Sequence, residues 1–180
     1  MLTQLKRVWD FFRRDRNGTV AIEFAGSATL LVVGVLNAVD IGLYEYKRME
    51  VENAAQVGAQ AAWKACYDTS SMLPATVNCA GLNAAITAAI QSTSLGNSVS
   101  LASGYPTEGY YCVNTSGVLQ AVGSLSSAPP DCSAVGNSNA SPGDFIQVQV
   151  SYPYAPLFGI SIMGARGISS IDAVSWMRLG

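Results

Sequence analysis

Between Glu23 and Asp40 the chain runs for sixteen residues, Phe24 to Val39, without a charge. Phe24, Leu30, Leu31, Val32, Val33, Val35, Leu36 and Val39 point all round a helix in this run, so no polar face is left for water. Extended back through Thr19, Val20, Ala21 and Ile22, the segment rises about 31 Å at 1.5 Å per residue, enough to cross a hydrocarbon core of about 30 Å. A span at residues 19–39 divides the chain into a leader at 1–18 and a body at 40–180. The leader holds Lys6, Arg7, Arg13, Arg14 and Arg16 against Asp10 and Asp15. Basic flanks stay in the cytoplasm, so the body is expected outside it. A secretory signal fits less well, because no small-x-small cleavage site followed by a polar start appears before the next helix-forming stretch.

Charged residues are only 12% of the 180, against 49% apolar, and the chain has no histidine. Imidazole bases, catalytic triads and the usual zinc ligand sets are therefore excluded. The acidic body has no stripe of Lys and Arg to follow a phosphate backbone, so no nucleic-acid partner is expected. No phosphate-binding loop, nucleophile elbow or calcium loop is legible. Neither an enzyme nor a cofactor or metal site is expected. Asp131 and Asp144, in stretches rich in Gly, Ser and Asn, fall short of the six to eight oxygens a calcium site takes.

The body carries Cys66, Cys79, Cys112 and Cys132, an even number that an oxidising compartment turns into disulfides. Three pairings are possible. Joining sequence neighbours closes the shortest loops and is preferred, but the sequence does not fix the connectivity. A metal reading lacks both CxxC spacing and histidine.

At the junction the chain reads Arg-Arg-Asp-Arg-Asn-Gly-Thr-Val-Ala-Ile-Glu-Phe from Arg13 to Phe24. Glu23 is the only charge in the first turns of an apolar helix. A carboxylate at membrane depth costs about 2.5–3.5 kcal/mol on insertion scales and calls for a partner or a function. Cleavage after Gly18 would put an ammonium on Thr19, able to pair with Glu23 of a neighbouring chain.

These residues resemble the processing site of type IV pilin-like proteins: a glycine, then an apolar helix with glutamate at the fifth mature position. More narrowly, Gly-Thr-Val-Ala-Ile-Glu-Phe-Ala and the later Val-Glu-Asn-Ala-Ala-Gln-Val-Gly-Ala-Gln-Ala-Ala are similar to the TadE-like pseudopilins of the tight adherence (Flp pilus) system. The resemblance covers about the first third of the chain. It implies a prepilin peptidase cutting between Gly18 and Thr19, residence in a bacterial inner membrane with a periplasmic body, and other pilin subunits and the pilus assembly platform as partners. Thr19 stands where type IV pilins commonly carry a bulky apolar residue, so N-methylation of the new terminus does not follow. The alternative is an uncleaved, signal-anchored extracytoplasmic binding module.

No proline occurs before Pro74, and one helix is expected from Thr19 to Cys66. Val51, Ala54, Ala55, Gly58, Ala61, Ala62 and Ala65 form a small-residue stripe that seats either the chain's own sheet or a neighbouring subunit. Glu45, Lys47, Arg48, Glu50 and Glu52 read as a solvated face with ordinary helix ion pairs. Tyr44 and Tyr46 suit a membrane-interface belt, whereas Trp63 and Tyr67 read as core. A short helix is expected between Gly81 and Ser94, and a hairpin at 110–122. The stretch 125–143 reads as a loop, with strands where Ile146, Val148, Val150 and Tyr152 alternate and again near 167–177. Residues 99–109 give little signal. The fold class is α+β: a single-pass membrane protein whose long N-terminal helix packs on a small antiparallel sheet, pilin-like.

Overall fold

The computed structural model describes residues 17–66, 73–159 and 161–180. The basic leader before Asn17 and the expectation for Tyr67 lie outside them. The helices are α1 (Asn17–Cys66), α2 (Ala75–Asn78), α3 (Leu82–Gln91) and α4 (Ile162–Ala165). The strands are β1 (Ser100–Leu101), β2 (Thr107–Val113), β3 (Leu119–Ala121), β4 (Gly143–Pro153) and β5 (Ser170–Arg178). The class is α+β, with a long apolar N-terminal helix and an antiparallel sheet. Contacts divide the chain into two compact units, one taking α1 through Gly42 with Pro156–Gly167, the other Leu43–Ala155 with Ile168–Gly180.

In the first unit, the apolar part of α1 presents its side chains outward. Ile22, Phe24, Leu30 and Leu31 are each more than 70% exposed. Among the described residues this is one helix long and apolar enough to cross a membrane, and none of its apolar window is buried within the protein. Its polar side chains bond inward along the helix: Thr29 Oγ1 donates to the Ala25 carbonyl at 2.8 Å, and Asn37 Nδ2 to the Val33 carbonyl at 2.8 Å. Donors paired this way add little cost to an apolar surrounding.

The rest of the unit is the segment 156–167. Asp40, the charge that ends the uncharged run, is fully buried here. Its Oδ1 accepts the Leu157 amide at 2.8 Å, and its Oδ2 accepts the Ser161 hydroxyl. Asn37 Oδ1 accepts the Ile162 amide at 2.7 Å. Ser161 caps α4, its Oγ accepting the Gly164 amide at 3.1 Å. A buried carboxylate without such partners would be strongly destabilising, so these bonds determine where the segment is held.

In the second unit, the outer half of α1 lies against α3 and one face of the sheet. The core gathers Val51, Ala54, Ala55, Ala59 and Ala62 from α1, Ile86 and Ile90 from α3, and Ile146, Val148 and Val150 from β4. Each large aliphatic among them contributes about 1.5–3 kcal/mol through burial. The small stripe thus seats the chain's own sheet and helix. Gly58 shows why it must be small: a Cβ there would lie 2.8 Å from Ile90 Cγ2 and 3.2 Å from Val148 Cγ1. The expected stripe is corrected in detail, since Ala61 is half-buried and Ala65 exposed, while Ala59 and Cys66 are buried.

The sheet runs β1-β4-β2-β3, with β5 on the other edge of β4 and every pairing antiparallel. β4 pairs β5 from Phe145↔Arg178 to Pro153↔Ser170. On its opposite edge it pairs β2 at Thr107↔Gln147 through Tyr111↔Gly143, then β1 at Leu101↔Val150. Ile146, Val148 and Val150 point to the core as the alternation expects, and Ile171 and Ala173 join them from β5. The hairpin is present as β2 and β3, with the Asn114 side chain accepting the Ser116 and Val118 amides in its turn. β1 and the first residues of β2 lie where the sequence signal is weak.

Two cysteine pairs are bonded, Cys66–Cys79 with Cα atoms 5.9 Å apart and Cys112–Cys132 at 5.6 Å. These are the sequence neighbours. The second pair forms a small core of its own with Val122.

Candidate processing and assembly site

Gly18 and Thr19 fall in the first turn of α1, which begins at Asn17, and Glu23 in the next turn. All three are exposed, and the space a Cβ would take at Gly18 is open. Thr19 and Glu23 are four residues apart, so they share a helix face one turn from each other.

The charged face further along α1 is more structured than a solvated face. Lys47 Nζ lies 2.6 Å from Glu50 Oε2, and the Ser94 hydroxyl donates to Glu50 Oε1 at 2.6 Å, tying α1 to the end of α3. The hydrogen bond from Lys47, then that from Ser94, holds the Glu50 carboxyl below the usual carboxylate range. The same bond raises Lys47. Arg48 reaches Glu52 at 3.1 Å across an exposed surface, a pair worth only tenths of a kcal/mol.

Two aromatic expectations are corrected. Tyr44 is half-buried and meets the Tyr154 ring edge-on with centroids 5.3 Å apart, so it belongs to the core margin. Trp63 is exposed on α1 rather than buried, because the buried face passes through Ala59, Ala62 and Cys66. On the outward face of the sheet, Tyr111 stacks edge-on with Phe145 and Trp176, centroids 5.9 and 5.0 Å away. Sequence reasoning missed this trio, although Tyr111 and Phe145 each occupy outward positions of alternating strands.

Asp144 is a buried residue of β4, not a loop carboxylate. Its carboxyl oxygens accept no hydrogen bond among the described residues. Burial, and next the nearby Glu108 carboxylate, push its pKa up to about 7. Glu108 itself is engaged at the start of α2, accepting the Ala75 and Thr76 amides at 2.7 Å each. Asp131 accepts the Ser133 amide at 2.9 Å. Among the described residues no three His, Cys, Asp or Glu side chains come together as a metal site requires.

No curated protein and no solved structure matches the chain. A family model does: that described as TadE-like protein, over residues 18–60. The match opens at Gly18, runs through Glu23 and the exposed apolar helix, and ends at Gln60 within the small-residue face. From Gly18 to Gln60, about a quarter of its length, the chain is similar to the TadE-like family, consistent with a protein of the tight adherence system.

Proposed function

We propose that this chain is a minor pilin, or pseudopilin, that takes part in assembling an adhesive pilus of the tight adherence type. Residues 1–18 are the cytoplasmic leader, 19–39 the span of the bacterial inner membrane, and 40–180 the periplasmic body. A prepilin peptidase removes the leader after Gly18, and the new Thr19 ammonium pairs with Glu23 of an adjacent subunit while the span packs among its neighbours and the assembly platform. The observation that carries this reading is where the family match begins: at Gly18, with the exposed Glu23 five residues on and an apolar helix window in which no residue is buried in its own protein. The family is one of structural pilus components.

The test is intact mass and N-terminal sequence of the protein from membranes, with and without a co-expressed prepilin peptidase. A terminus at Thr19 only when the peptidase is present is expected. Retention of residues 1–18 in both cases would replace this reading with an uncleaved, signal-anchored binding module.

A further inference from the structure

We infer that the segment Pro156–Gly167 is a membrane-interface foot, held in the outer headgroup layer of the bilayer by its bonds to Asn37 and Asp40. The inference rests on residues 19–39 spanning the bilayer, and the geometry of the first unit sets the depth. The span rises about 31 Å from Thr19 to Val39, so Asn37 and Asp40 sit where about 30 Å of hydrocarbon gives way to headgroups. The Leu157 and Ile162 amides lie 2.8 and 2.7 Å from the side chains of those two residues. The segment therefore cannot stand clear of the bilayer while these bonds are made.

Its composition fits that level. From Tyr152 through Ala165 there is no charge, and Leu157 and Ile162 are 63% and 50% exposed. Val39 and Ile41, beside the bonded residues on α1, are exposed as well. Apolar side chains displayed at the rim of a span are stabilised by each methylene moved into the acyl boundary. Arg166, exposed at the end of α4, makes no ion pair among the described residues and is the segment's one cation, suited to lipid phosphates. The buried Asp40 carboxylate then has a clear task. It accepts the Leu157 amide and the Ser161 hydroxyl where burial within the unit keeps water from Asp40 and Ser161.

The experiment labels single introduced cysteines with an environment-sensitive nitrobenzoxadiazole dye: Leu157→Cys, Ile162→Cys and, as reference within the span, Val39→Cys. The four native cysteines are bonded, so each introduced thiol reacts alone. The full chain goes into nanodiscs of phosphatidylethanolamine and phosphatidylglycerol, with or without lipids carrying a doxyl quencher near the headgroup, and aqueous iodide is the opposing quencher. Doxyl lipids are expected to quench all three labels, with iodide reaching each poorly. Labels at 157 and 162 that iodide quenches and doxyl lipids do not, with Val39 still quenched by lipid, would overturn the foot and leave the span standing. Protection of 157 and 162 from both quenchers would mean another protein covers them, which also overturns it. A Val39 label untouched by doxyl lipid would remove the span and the foot together.

Discussion

A Cβ on Gly58 would stand 2.8 Å from Cγ2 of Ile90, inside the distance real Cβ atoms keep. Ile90 is fully buried and β-branched, so the methyl cannot swing aside cheaply. Alanine at 58 gains about 1 kcal/mol of helix propensity but meets an overpacking cost of about 1–3 kcal/mol. Gly58→Ala is expected to lower stability by about 1 kcal/mol and Gly58→Leu by at least about 3. Gly42→Ala, where nothing lies within 4 Å, should instead raise it by up to about 1 kcal/mol. Thermal melts of the full chain in detergent, followed by circular dichroism, would show the two glycines moving in opposite directions.

The Asp144 carboxyl makes the second unit sensitive to pH with a defined sign. Its folded pKa is raised from 3.8 to about 7 by burial first and by Glu108 second, so the folded state keeps a proton that the unfolded chain releases. Stability from this group is complete below about pH 4 and is lost as pH rises through about 7, an upper bound of about 4 kcal/mol. Glu50 and Asp131, both lowered, act the other way, but only below the usual carboxylate range. The melting temperature should fall from pH 5 to pH 8, and Asp144→Asn should flatten that slope. A slope unchanged in the variant would mean another group carries it.

Protein isolated without reductant is expected to yield no titratable thiol until denatured and reduced. The bridges span 13 and 20 residues, loops for which chain entropy gives about 3 kcal/mol each. Reduction should therefore lower the melting temperature markedly, and four reactive thiols in the untreated protein would contradict both pairs.

Glu23→Gln removes the charge and keeps the shape. Membrane insertion should be unchanged or improved, because a carboxylate at this depth is costly, while pilus assembly should fail. Membrane fractionation and surface pilus counts in a strain carrying the variant separate the two effects. Normal piliation would rule out charge pairing at Glu23.

The elements whose signal is periodic were legible in the sequence. The apolar stretch long enough to cross a membrane, the continuous α1, the alternation of Ile146, Val148 and Val150, and the hairpin around Thr115 to Gly117 all follow from spacing within a few residues. What was not legible depends on partners distant in sequence. The burial of Asp40, the charge that ends the uncharged run, left no sign in the sequence because its partner Ser161 lies 121 residues on. The buried face of α1 was misplaced by part of a turn because alanine fills its margin at Ala61 and Ala65 as well as the face itself at Ala54, Ala55, Ala59 and Ala62, leaving residue type with little to say about direction. Trp63 was read as core for its size, yet the face it occupies has only small residues beside it turned inward. At the candidate site, the lone charge of Glu23 in an apolar helix and the resemblance to type IV pilin-like processing sites brought out Gly18, Thr19 and Glu23. The i to i+4 relation of Thr19 and Glu23 within one chain needed only helix geometry.

The small-residue face of α1 also has a bearing on the order of events as the chain is made. The helix leaves the ribosome early, but the surfaces that cover Gly58 and Ala59 come from α3 and from β4, whose Val148 emerges near the end of synthesis. Contacts of such wide sequence separation close late. Until β4 arrives, the alanine-rich outer half of α1 has its core face bare. Because that face displays methyl groups and a glycine in place of leucine and phenylalanine, the unfinished chain offers little for other nascent chains to adhere to.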